Sequence, residues 1–81
     1  MSRHMAEILE EEFKLKRLRQ IVDRTAAALR WKELSEVEAE DLVARTRRQV
    51  LELFPDKGEV FDLIHRSRFD RIWNERTYLD K

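Results

Sequence analysis

The sequence predicts an all-α fold: a small three-helix bundle, or a helical hairpin plus a third helix, assembled through a coiled-coil-like dimer seam. Three observations carry this expectation. Apolar residues recur at alternating three- and four-residue spacing over long stretches, as on one face of a helix. Start and stop signals cut the chain into three such stretches. A single Gly and a single Pro in 81 residues leave the stretches unbroken, and no alternating β-branched run suggests a strand.

The first stretch runs from Ala6 to Trp31. Ile8, Leu15, Leu18, Val22, Thr25 and Leu29 form its seam, which misses one step at Glu11. Leu9, Phe13, Ile21 and Ala28 widen the stripe on one side. Some 26 residues make a helix of roughly 39 Å at 1.5 Å per residue, longer than a bundle of this mass needs. The excess must stand in solvent or meet a partner. Thr25 and Ala26, small and central, allow a close helix approach.

The second helix opens at Ser35, where Ser35 and Glu38 have the spacing of a capping box, with Leu34 placed to staple onto Ala39. Ala39, Val43, Thr46, Val50 and Leu53 repeat along it, and Pro55 ends it at Phe54 by disfavouring a helical residue before it. Asp56 with Glu59 then predicts the cap of a third helix, which carries Val60, Phe61, Leu63, Ile64, Phe69, Ile72 and Trp73. Phe61, Leu63 and Ile64 cannot share one narrow stripe with Phe69, Ile72 and Trp73, so this helix has a broad apolar arc. The expected organisation is a disordered start or cloning remnant over 1–5, one helical domain over 6–77 with helices at 6–31, 36–54 and 57–77, and a short tail over 78–81. Connections this short make the first two helices a hairpin and hold the third across it.

Composition narrows the function. Seventeen basic residues balance seventeen acidic ones, a formal net charge of zero, whereas nucleic-acid or anionic-membrane binders usually show a basic excess. The absence of cysteine removes disulfides and thiolate chemistry and fits a reducing, cytoplasmic setting. No run has the length of a membrane span, and Met1–Met5 lacks the apolar core of a secretory signal. Charge follows one order in each helix, acid first and base later, which suits the helix dipole and yields pairs such as Glu10 with Lys14 and Asp41 with Arg45.

Chemistry finds little support. Gly58 stands alone, so there is no phosphate-binding loop. Asp62-x-x-His65 resembles half of a di-iron helix motif, but that architecture needs two such motifs and two further glutamates; a lone histidine more often completes a local hydrogen bond. The expectation is therefore no enzyme, no cofactor, no metal and no small-molecule substrate. In their place stands a protein-interaction or oligomerisation module, whose partner is a second copy of the chain (a dimer ahead of higher states) or another protein. Leu15, Leu18, Val22 and Leu29 are the expected self-association seam. Phe69, Ile72 and Trp73 are the expected partner patch. The alternative is RNA or DNA binding through Arg17, Arg24, Arg45 and Arg48, since Arg outnumbers Lys and its guanidinium suits bidentate phosphate contacts; the interleaved acidic residues oppose it.

Overall fold

The computed structural model describes residues 3–79, with side chains described over 5–76. It is a small all-α three-helix bundle: α1 spans Arg3–Trp31 and α2 Glu36–Leu53. The third helix, α3, runs continuously through Gly58–Val60, a π-turn at Phe61–Arg66, and Ser67–Leu79. The helical start at Arg3 lies inside the stretch expected to be disordered, and α3 continues through part of the expected tail. Met1, Ser2, Asp80 and Lys81 lie outside the described residues.

The ends of α2 form as its sequence dictates. Ser35 Oγ accepts from the Glu38 N–H at 3.1 Å, and Glu38 Oε1 accepts from the Ser35 N–H at 3.0 Å, closing the capping box. The Ser35 N–H bond holds the Glu38 carboxyl below the ordinary glutamate range, because the hydrogen bond favours the charged form. At the other end the Phe54 N–H still reaches Val50 O, and Pro55 ends the helix. The cap expected from Asp56 does not form. A turn in which the Lys57 N–H donates to Phe54 O at 3.1 Å takes up Pro55 and Asp56, so Lys57 becomes the residue before the helix and makes no side-chain cap. Gly58 follows, and a Cβ there would stand 3.0 Å from Arg47 Nη2. That guanidinium makes a two-pronged ion pair with Asp62, 3.0 Å from Nε to Oδ1 and 3.3 Å from Nη2 to Oδ2, joining α2 to the π-turn.

The core lies where both other helices lean on the C-terminal half of α1. Ile21, Val22, Ala26 and Leu29 meet Ala39 and Val50 of α2 and Phe61, Phe69 and Ile72 of α3. Leu29, Phe61 and Phe69 are each only 1% exposed. The π-turn brings Phe61 into this set. Eight residues of regular α-helix would set Phe61 and Phe69 about 80° apart around the axis, whereas absorbing one residue brings them to within about 20°. Their rings stand 6.2 Å apart. Phe61 therefore shares the stripe of Phe69, contrary to the sequence expectation, while Leu63 and Ile64 stay outside it. At the far end Arg76 Nη1 donates to Leu29 O at 2.9 Å, placing positive charge on one of the last carbonyls of α1, where the helix dipole favours it.

One polar contact sits inside the core. Thr25 and Thr46, both buried, bring their hydroxyls to 2.5 Å across the α1–α2 interface. Thr46 Oγ1 also lies 2.8 Å from Leu42 O, and Thr25 Oγ1 3.2 Å from Ile21 O. Two protons face three acceptor contacts, so one hydroxyl donates across the interface and the other back to its own helix. The shorter bond to Leu42 O assigns Thr46 as the back-bonding partner and Thr25 as the interhelical donor. Thr25→Val or Thr46→Val alone should cost about 1 kcal/mol in urea unfolding. The double variant should cost no more than about the larger single loss, because both remove the same bond; additive losses would refute the pairing.

Candidate docking surface

The molecule is elongated, 57 Å in its longest dimension and 20 and 17 Å in the others. Its N-terminal arm, the part of α1 before Leu18, carries no buried residue among those described. Yet Met5, Ile8, Leu9, Phe13 and Leu15 all lie on it, with Phe13 71% exposed. At 100° per residue these five side chains are spread over an arc of about 160°, within which Glu12 and Lys16 also fall. Polar residues of the arm pair along the helix, as Lys14 does with Glu10 at 3.8 Å.

At its base the arm enters an apolar groove of about 180 Å³, formed by Leu15 and Leu18 of α1, Val50 and Phe54 of α2, and Val60 and Phe61 of α3. Val60, Leu63 and Ile64 stand exposed on the neighbouring surface of α3, Leu63 at 76%. The arm, the groove and this α3 flank together gather most of the large exposed apolar side chains. Trp31 and Val37, near the α1–α2 joint, are the others.

His65 lines the same groove. Its ring stands 5.6 Å from that of Phe61, and its buried Nδ1 has no hydrogen-bond partner. The local hydrogen bond expected of it does not form at that nitrogen. Asp62, its supposed metal-site companion, has both oxygens engaged by Arg47. Burial first, and the Arg68 charge second, hold the His65 imidazole below the ordinary histidine range.

The structure redistributes the residues that sequence reasoning singled out. Of the seam, Val22 and Leu29 are buried within the chain's own core, Leu18 is half-buried against it, and Leu15 is exposed. Val22 and Leu29 are thus used by the monomer, because α2 and α3 close over that half of α1. Of the partner patch, Phe69 and Ile72 are core residues and Trp73 is half-buried, with the Arg76 guanidinium 5.2 Å from its ring centroid. The exposed large apolar side chains of α3 are instead Val60, Leu63 and Ile64, on the part of the helix outside the core stripe. Of the arginines, Arg17 and Arg24 are exposed on α1, and Arg45 is paired with Asp41 at 3.2 Å. Arg48 lines a separate cleft of about 540 Å³ between α2 and α3, where Arg47 and Arg66 are interspersed with Glu36, Glu40 and Asp70. Arg17 and Arg24, seven residues apart, share one face of α1, and of the four only Arg48 lines this cleft.

Sequence reasoning missed the groove and the π-turn. The spacing Phe61-x3-His65-x3-Phe69 held a usable signal, since three rings at four-residue steps fall on one stripe only if the helix is slightly underwound. No helix among the described residues is long and apolar enough to cross a membrane. Compared with known protein families, with curated proteins and with solved structures, the chain matches none.

The His65 geometry gives a pH dependence with a definite sign. The folded state binds this proton less readily than the unfolded chain, so His65 leaves stability unchanged above the ordinary histidine range, about pH 6.5. Stability falls as the pH drops through that value. Urea unfolding should show a loss between pH 7 and pH 5 that His65→Leu makes shallower; an equal slope in the variant would exclude His65 as its source.

Proposed function

We infer that the chain is a non-enzymatic protein-interaction or oligomerisation module, and that its docking surface is the arm of α1 together with the apolar groove at its base. One observation carries this reading: a projecting helix bears five large exposed apolar side chains, and its Leu15 side enters an apolar groove bordered by Val60 of α3, while Phe13 lies on the opposite side of the helix. Exposed apolar area concentrated in this way is characteristic of surfaces that bind another polypeptide. Exposed apolar side chains on more than one side of the helix, interleaved with Glu12 and Lys16, suit a helical partner that also brings charged groups. The arginine reading draws less support, since Arg45 is held by Asp41 and acidic residues share the cleft that Arg48 lines.

A photo-crosslinking residue placed at Phe13 or at Leu63 tests this in cells producing the chain. Adducts to a polypeptide, whether a second copy or a different protein, are expected from both positions and not from a control at Arg24. No adduct from Phe13 or Leu63, or equal adducts from Arg24, would contradict the reading.

A further inference from the structure

Resting on that reading, we propose that the occupant of the arm is a second copy of this chain, packed antiparallel about a two-fold axis at the level of Phe13. The arm's charges are segregated: Glu7, Glu10, Glu11 and Glu12 precede Phe13, and Lys14, Lys16, Arg17 and Arg19 follow it. A parallel pair would set acid beside acid and base beside base. An antiparallel pair sets acid beside base along its whole length.

The match extends to single levels. Reflected about position 13, Glu7 falls level with Arg19, Glu10 with Lys16 and Glu12 with Lys14. The same reflection sets Ile8 level with Leu18, Met5 with Ile21, and Phe13 with its own copy. Between residues 5 and 21 no two like charges share a level. The overlap brings Ile8 and Met5 of one copy to the groove that Leu15 and Leu18 of the other begin. The Ile8 and Leu15 side of the arm then meets the second copy's arm and the groove that Val60 borders. The interface is isologous, so it closes at two copies. Glu11 is the polar step of the seam, level with Leu15, and a polar seam residue fixes register at a cost in affinity.

The test uses the full chain and charge exchange on the arm, which lies outside the folded core. Variant one carries Glu7→Lys, Glu10→Lys and Glu12→Lys; variant two carries Lys14→Glu, Lys16→Glu and Arg19→Glu. By sedimentation equilibrium the unaltered chain should form a dimer, each variant alone should associate about tenfold or more weakly, and the two mixed should restore the dimer. Glu11→Leu should tighten it. Because the chain has no cysteine, Ile8→Cys and Leu18→Cys variants, which share a level and both lie on the seam, report direction when mixed and oxidised. Disulfides joining position 8 to position 18 are expected, and predominant 8-to-8 links would overturn the antiparallel arrangement. A monomer at every concentration would overturn the second copy as occupant. Photo-adducts from Phe13 to a different protein would, in that event, leave the docking surface itself standing.

Discussion

The structure depends on a mismatch between one long helix and two short ones. A core needs α2 and α3 to close over an apolar face, and together they cover only the C-terminal half of α1. There the chain buries Val22, Thr25, Ala26 and Leu29 at once. Before Leu18 no residue of the helix is buried among those described, though the apolar pattern continues through Leu15, Ile8 and Met5. One sequence pattern thus serves two environments, packed inside the bundle at one end and presented to solvent at the other.

Several local devices hold the covered half in one arrangement. The Ser35–Glu38 box and Pro55 fix the length of α2, and the Arg47–Asp62 pair ties α2 to the π-turn. The pair is partly exposed, so its contribution is modest and more a matter of geometry than of energy. The Thr25–Thr46 contact ties α1 to α2 inside the core, one hydroxyl donating across the interface. Arg76 closes the far end by bonding to Leu29 O. In so small a domain the surface-to-volume ratio limits what a single core can supply, and covering the arm would add burial that the monomer lacks.

Much of this was legible in the residues. The three helices, the capping box, the stop at Pro55 and the over-long first helix follow from spacing and turn chemistry. Other features were not, for identifiable reasons. Periodicity shows that Val22, Leu29, Phe69 and Ile72 lie on apolar faces, but not whether the chain's own helices or a partner covers them. The choice is made by where α2 and α3 end, which is a tertiary fact. The π-turn escaped because a regular 100° step assigns Phe61 to the wrong stripe, and that error moved the exposed patch from Val60, Leu63 and Ile64 to Phe69, Ile72 and Trp73. Asp56 has the spacing of a cap with Glu59, but the turn after Phe54 takes it up and the helix starts one residue later.

The proposed division of α1 into a structural half and a docking half is open to direct measurement. Amide hydrogen exchange, followed residue by residue at two protein concentrations, tests it most directly. In dilute solution the amides of residues 18–31 should be strongly protected while those of 7–14 exchange rapidly, since an uncovered arm frays from its end. Raising the concentration should slow exchange in the arm and leave the body unchanged. An arm as protected as the body in dilute solution would contradict the account, and an arm whose exchange ignores concentration would contradict the second copy as its occupant.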